Sequence, residues 1–283
     1  MAMFLARRLL APVRAIARGT RRLAQGDYGE RIEVDSQDEI GRLASDFNHL
    51  AHALENTERQ RRDFMADVSH ELRTPLAVLR GELEALEDGV RKLDGDSLHS
   101  LQQEVGQLNQ LVNDLHELSM ADVGALTYRK QPLDLVELLH ESLAGARERC
   151  QEQGLTLELQ LPMAAKPVLA DAARLRQLLG NLMENSLRYT EAGGRLRIRL
   201  LEQNGHIVLD WLDSAPGVAE ADLPRLFERF FRGEASRGRA SGGSGLGLAI
   251  CRSIAEAHGG TLEAHPSPLG GLWLQLSLPR EAR

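Results

Sequence analysis

The sequence predicts a multidomain chain, all-α at the front and layered with mixed strands and helices at the rear. Three observations carry this reading. Apolar residues recur in steps of three and four as far as Leu118, the period of a helix with one buried face. A turn-forming Asp94-Gly95-Asp96 divides the longest helical pattern. Beyond Lys130 the pattern changes to alternating segments separated by glycine-rich turns, which marks strands mixed with helices.

Residues 1–57 hold two helical patterns. Leu9, Val13, Ile16 and Leu23 share one stripe, with Pro12 near its start. Ile40, Leu43, Phe47, Leu50 and Leu54 form a short heptad seam, which requires a partner helix. Gln25-Gly26-Asp27-Tyr28-Gly29 is a turn-rich connector. Asp38-Glu39 suit the second N-terminus, where the helix dipole favours acidic groups. The next helix is expected to start near Arg61, with Phe64, Val68, Leu72, Leu76, Leu79, Leu83 and Leu86 on one face. After Asp94-Gly95-Asp96, a returning helix carries Leu98, Leu101, Val105, Leu108, Val112, Leu115 and Leu118. A two-helix hairpin buries little alone, so two copies forming a four-helix bundle complete it.

In the rear half, Leu155-Thr156-Leu157-Glu158-Leu159, Arg195 to Leu200 and Ile207 to Leu212 read as strands. Asn204-Gly205 reads as a hairpin turn, and Gly193-Gly194 precedes a strand. Helices are expected around Arg174–Tyr189 and Gly247–His258. Gly233–Gly245, rich in Gly, Ser and Arg, reads as a loop.

Composition excludes some functions. Of 283 residues, 34 are Lys or Arg and 41 are Asp or Glu, a net charge of −7. That acidic balance argues against direct nucleic-acid binding, which leaves a basic footprint. Cys150 and Cys251 lack the paired spacing of a metal site and read as reduced thiols. No apolar run reaches the ~18 residues of a membrane span. The opening Met1-Ala2-Met3-Phe4-Leu5-Ala6, followed by Arg7-Arg8, reads either as the start of a soluble helix or as the cytoplasmic end of a membrane helix. It does not read as a signal peptide, because its basic residues follow the apolar ones and no small-residue cleavage site is evident.

Several residues carry chemistry. At about 100° per residue, His70 projects away from the Val68–Leu72 stripe. A neutral imidazole has one lone-pair nitrogen able to attack phosphorus, and its other nitrogen needs a proton acceptor. The adjacent Glu71 supplies one, and would raise the nucleophilicity of the attacking nitrogen. Thr74 lies one turn on, positioned to direct a water, and Pro75 is expected to bend the helix. Asn181 and Asn185 are one turn apart, and amide oxygens suit Mg²⁺. Asp213 ends a strand, where a carboxylate can accept from an adenine amino group. Leu226-Phe227-Glu228-Arg229-Phe230-Phe231-Arg232 combines core rings with two arginines. Gly242-Gly243-Ser244-Gly245-Leu246-Gly247-Leu248 opens a helix, where backbone N–H groups face anions. No Lys-Ser/Thr follows, so it is not a P-loop.

Phe64-Met65-Ala66-Asp67-Val68-Ser69-His70-Glu71-Leu72-Arg73-Thr74-Pro75-Leu76 resembles the H box of sensor histidine kinases. Gln177 to Thr190 resembles their N box, Asp213-Ser214-Ala215-Pro216-Gly217 the G1 box, Leu226–Arg232 the F box, and Gly242–Leu248 the G2 box. Residues 1–57 resemble a HAMP linker. The resemblance implies HAMP at 1–57, a dimerisation and histidine phosphotransfer domain at 58–124, and an ATP-binding α/β sandwich of the Hsp90, gyrase and histidine kinase type at 125–283. It implies His70 as phosphoacceptor, Glu71 as base and Thr74 for phosphatase activity. Asn185 falls to the metal, Asn181 to the phosphate–metal region, Arg188 to phosphate charge, Tyr189 to the nucleoside side and Asp213 to adenine. Gly217, Gly243, Gly245, Leu246 and Gly247 complete the implied ATP site, and Arg229 or Arg232 approaches the phosphates. The family pattern has glycine where this chain has Ala215; a positive φ there would cost alanine about 1–2 kcal/mol.

Phe64–Gly89, the G1 box and Arg239-Ala240-Ser241-Gly242-Gly243-Ser244-Gly245 resemble the BaeS type of envelope-stress kinases most closely. The implied partners are ATP, Mg²⁺, a second copy and a BaeR-like response regulator of the OmpR class. The implied setting is the cytoplasmic portion of an inner-membrane protein whose upstream part holds the membrane helices and sensor. Two alternatives stand beside an autokinase. One is an ATPase that uses nucleotide to change shape, disfavoured by the complete H box. The other is a dimeric relay scaffold with a decayed kinase domain, disfavoured by Asn185, Asp213 and Gly245.

Overall fold

The computed structural model describes residues 2–33, 38–122, 128–233 and 243–281. The expected boundary at 124/125, Gly242, Arg239-Ala240-Ser241, most of the 233–245 loop and the side chain of Leu9 lie outside the described residues. The chain forms two compact units, Met1–His70 and Glu71–Arg283.

In the first unit, α1 (Ala2–Ala24) contains Pro12 and α2 starts at Glu39. Asp38 caps α2: its Oδ1 accepts from the N–H groups of Ile40 at 3.1 Å and Gly41 at 3.0 Å, satisfying donors a helix start leaves open. The core consists of Leu23, Ile32, Ala44, Phe47 and Ala51, with Ala15, Ile16 and Tyr28 against it. The packed stripe is therefore Ala44-Phe47-Ala51, whereas Leu43, Leu50 and Leu54 of the expected seam are exposed. Small side chains decide this. The alanines admit close approach, and at Gly19 an added Cβ would lie 2.7 Å from the Phe47 ring. The connector is tied to α2 by Asn48, which accepts from Ile32 N–H at 2.9 Å and donates to Ile32 O at 2.8 Å.

No new helix starts near Arg61. Helix α2 runs from Glu39 to Glu87 and continues through Pro75. Nothing between Leu54 and Phe64 breaks a helix, and Glu58 pairs with Arg61 at 2.9 Å and Arg62 at 3.0 Å, the spacing that supports one.

The second unit begins with the rest of α2 and returns in α3 (Gly95–Asp122). The break lies one step earlier than expected, at Asp88–Asp94, and Gly95-Asp96 already belong to α3. Asp94 caps α3 by accepting from Ser97 N–H at 2.9 Å, and Ser97 Oγ donates to Lys92 O at 2.7 Å. Leu76, Leu83, Leu98, Val105 and Val112 of the hairpin are exposed, while Leu111 and Leu118 of α3 are buried in the main core of this unit.

That core lies between helices and a five-stranded sheet. The order is β1 (Gln131–Asp134), α4 (Leu135–Ser142), α5 (Ala146–Glu152), β2 (Thr156–Gln160), β3 (Pro167–Ala170), α6 (Ala172–Tyr189), β4 (Arg195–Gln203), β5 (His206–Ser214), a 3₁₀ turn (Glu220–Arg225), α7 (Gly247–Ala257), β6 (Thr261–Pro266) and β7 (Gly270–Pro279). The sheet order is β2-β4-β5-β7-β6, and β1 pairs separately with β3. Only β2–β4 is parallel among these pairings. The Asn204-Gly205 hairpin forms as expected, with φ of 50° and 78°, the left-handed pair of a type I′ turn. Trp211, Leu196, Ile198 and Leu209 of the sheet meet Leu175, Leu178 and Leu182 of α6 in one cluster.

His258 pins α7 to the start of α6. Its Nδ1 donates to Ile254 O at 2.7 Å, and Nε2 accepts from Asp171 N–H at 2.9 Å. Burial, aided by Lys130, lowers its pKa. A histidine kept neutral in the fold stabilises above the unfolded pKa near 6.5, and that contribution is lost as pH falls below it. The thermal midpoint is therefore expected to fall more steeply from pH 7 to pH 5 in the unaltered chain than in His258→Gln, read by circular dichroism. Equal slopes would remove His258 from the acid response.

Candidate functional site

His70 is exposed on α2, Glu71 is half-buried, and Thr74 is exposed one turn on. Phe64, Val68, Leu72 and Leu79 are half-buried, whereas Leu76 and Leu83 of the same stripe and the His70 imidazole off its side are exposed, the offset the 3.6 period gives.

The remaining sequence-predicted residues gather around α6. Asp171 caps this helix by accepting from Ala173 N–H at 3.0 Å and Arg174 N–H at 3.2 Å. Its buried face is Leu175, Leu178, Leu179, Leu182, Met183 and Ser186. Asn181, Asn185, Arg188 and Tyr189 are half-buried beside that face. Asn181 Nδ2 donates to Gly247 O at 3.3 Å, bringing α6 to the start of α7. A Cβ on Gly243 would overlap the Arg188 guanidinium, so the glycine-rich segment lies against this side chain. Gly245 has φ +68°, and an added Cβ would lie 2.8 Å from the Phe230 backbone. Phe230 N–H donates to Gly245 O at 3.1 Å. The F and G2 segments are thus joined through backbone atoms, which only glycine permits here. Leu246 is fully buried in the main core. Phe227 and Phe230 pack against the same core, while Arg229 and Arg232 are half-buried nearby in sequence.

Asp213 ends β5 and is 5% exposed. Its Oδ1 accepts from Leu272 N–H at 2.6 Å. Burial pushes its carboxyl up to about 7, although hydrogen bonds from Leu272 and Ser186 oppose the shift. Gly271 passes so close that an added Cβ would overlap Asp213, and at Gly217 it would lie 3.0 Å from Gly270 O. Ala215 is absent from the positive-φ residues, so the conditional cost of alanine there does not arise. Sequence reasoning missed Gly270, Gly271 and Leu272 of β7. Their adjacent glycines were a visible signal, but nothing local to them names Asp213. It also passed over Ser186, inside the N-box segment, and Trp211 of β5, both of which the structure buries.

A buried carboxylate with open acceptor capacity, two amides on one helix side and a glycine-rich helix entry suit a purine nucleotide. Among the described residues no group of three His, Cys, Asp or Glu is placed to hold a metal. The donor set of Asn185 fits Mg²⁺, which is bound chiefly by phosphate oxygens and water and takes few protein ligands.

Three protein families match along the chain. The HAMP domain covers residues 4–56, the His Kinase A (phospho-acceptor) domain residues 60–124, and the histidine kinase-, DNA gyrase B- and HSP90-like ATPase residues 170–282. The chain is similar to the signal transduction histidine-protein kinase BaeS of Escherichia coli (strain K12), 55% identical over 98% of this chain and 59% of that protein. It is similar to the sensor histidine kinase MtrB of Mycobacterium leprae (strain TN), 33% identical over 99% of this chain and 51% of that protein. The chain thus spans between half and three fifths of these curated relatives. Among solved structures it resembles the Acinetobacter baumannii histidine kinase AdeS, 30% identical, with a TM-score of 0.64 over 75% of this chain and 98% of that one.

Proposed function

Because this chain belongs to the histidine kinases, we propose that it is the signalling portion of a two-component sensor that phosphorylates its own His70 from Mg-ATP. The observation that carries the reading is Asp213. A carboxyl 5% exposed and pushed up to about 7 by burial costs stability unless a ligand uses it, and perturbed groups of this kind mark functional sites. Its carboxylate accepts the adenine amino group, and Gly217 and Gly271 give the clearance.

Tyr189 packs toward the nucleoside, and Asn181, Arg188, Gly243, Gly245, Leu246 and Gly247 line the phosphates. Asn185 holds Mg²⁺, which when bound neutralises phosphate charge. The unprotonated nitrogen of His70 attacks the γ-phosphorus as the bond to the β–γ bridging oxygen breaks, and ADP leaves. Glu71 takes the proton from the other ring nitrogen, and catalysis is mainly positioning. The phosphoryl group then passes to an aspartate of a response regulator, BaeR-like and of the OmpR class. Thr74 directs a water onto the regulator's aspartyl phosphate, whose bond to the carboxylate oxygen breaks to release inorganic phosphate and free aspartate.

We divide the chain into a HAMP linker at 1–57, a dimerisation and phosphotransfer domain at 58–124 and an ATP-binding domain at 125–283. The exposed Leu76, Leu83, Leu98, Val105 and Val112 favour a homodimer. Among the described residues no helix is long and apolar enough to cross a membrane. The HAMP match and the similarity to BaeS support a cytoplasmic portion of an inner-membrane protein, and envelope stress is the signal we assign to it.

Incubation with Mg²⁺ and γ-labelled ATP tests the reading. Acid-labile, base-stable label on the chain is expected. Released phosphate without labelled protein would instead indicate a shape-changing ATPase, and absence of ATP binding a relay scaffold.

A further inference from the structure

Two residues outside the expected site bear on Asp213. Ser186 lies on the buried face of α6, and Trp211 lies on β5; each is 1% exposed. Trp211 is two positions before Asp213, so both point to the same sheet face. An indole N–H only donates, and when buried it needs an acceptor. Trp211 Nε1 donates to Ser186 Oγ at 2.9 Å. That occupies the hydroxyl as acceptor and directs its proton elsewhere. The Ser186 hydroxyl in turn acts to lower the pKa of the Asp213 carboxyl, the effect of a donor directed at the carboxylate. The second protein donor to Asp213 is Leu272 N–H, at 2.6 Å. The chain is polar in one direction: indole to hydroxyl to carboxyl.

We infer that Ser186 and Trp211 are positioning residues that hold Asp213 as a hydrogen-bond acceptor and so set selectivity for a 6-amino purine over a 6-oxo purine. The inference rests on the reading above that Asp213 meets the nucleobase. With two protein donors aimed at the carboxyl, the capacity left toward the ligand is that of an acceptor. A 6-amino group donates to it. A 6-oxo group presents a second acceptor at the same place, and two acceptors facing each other in a buried site leave both unpaired. Removing the indole donor frees the Ser186 hydroxyl to rotate, and removing the hydroxyl leaves Trp211 N–H unpaired and Asp213 one donor short. Either change unfixes the acceptor without touching the nucleotide.

ADP and IDP test this, since they differ at the purine 6-position and its tautomer. Binding of each, with Mg²⁺, is measured by calorimetry for the unaltered chain, Ser186→Ala and Trp211→Phe. Ser186→Ala removes a single oxygen, and Trp211→Phe keeps a ring while deleting the donor, so the inference stays testable through one variant if the other fails to fold. Each variant is expected to weaken ADP about tenfold, the loss of one well-placed hydrogen bond, while IDP changes by less than about threefold. The IDP-to-ADP ratio of dissociation constants therefore falls. Packing damage alone would weaken both nucleotides equally and keep the ratio, which overturns the inference. So would an unchanged ADP affinity in both variants. If the unaltered chain bound neither nucleotide, the reading of the site itself would fall, and this inference with it.

Discussion

Replacing His70 by glutamine is expected to remove acid-labile phosphate from the chain altogether, with at least about a thousandfold loss of labelling, while ATP affinity stays within about twofold. The amide nitrogen of glutamine is delocalised into its carbonyl and offers no lone pair to phosphorus, so no intermediate forms. The fold has little reason to respond. His70 is exposed on α2, glutamine is a good helix former, and exposed substitutions away from caps and cores usually move stability by less than about 0.5 kcal/mol. The measurement pairs γ-labelled ATP with separation of the protein in alkaline and acidic gels, alongside calorimetry for ATP. Label that persists in His70→Gln would move the phosphoacceptor to another residue, whatever the state of the nucleotide site.

Replacing Gly271 by alanine is expected to weaken ADP by about a hundredfold or more and to lower the thermal midpoint. Here the cause is steric. An added Cβ would overlap the Asp213 carboxyl and the Ser214 carbonyl. The second obstacle is backbone of β5, held in the sheet between β4 and β7, and it cannot swing aside as a flexible side chain would. The strand must move, and the 2.6 Å bond from Leu272 N–H to Asp213 goes with it. Overpacking of this kind costs about 1–3 kcal/mol, and a hydrogen bond to a charged group contributes about 1.5–3 kcal/mol. Their sum, about 2.5–6 kcal/mol, brackets the roughly 2.8 kcal/mol of a hundredfold change and extends well above it. Calorimetry with ADP and a thermal melt check both halves. An affinity within about threefold of the unaltered chain would show that Asp213 does not need its β7 partner.

Much of the site was legible because it is local. His70, Glu71 and Thr74 sit within one turn or so of a single helix, as do Asn181, Asn185 and Arg188, so spacing alone places each set on one side. Asn204-Gly205 declared its own hairpin. The misses share a cause. Nothing near Gly270-Gly271-Leu272 says that these residues close over Asp213, 59 positions earlier. Short strands β1 and β3 pair with each other across the intervening α4, α5 and β2, and Gln131-Pro132-Leu133-Asp134 carries no clear alternation. In the first unit Ala44 and Ala51, whose small size lets α1 approach, join Phe47 in the core, and small residues of this kind give a weaker apolar signal than the leucines of the seam. The expected new helix near Arg61 treated a charged stretch as a gap, although it contains no breaker.

By itself the sequence determined the α6 and α7 helices, the strands β2, β4 and β5 with their Asn204-Gly205 turn, where His70 faces, and that Asn181 and Asn185 share one side of a helix, because periodicity and turn chemistry act over a few residues. Only the tertiary structure decided which strands adjoin β5, that Gly271 must stay without a side chain, and that Trp211 donates to Ser186. Alternation along a strand says which face a residue takes; which partner waits on that face is set by packing between segments far apart in the chain.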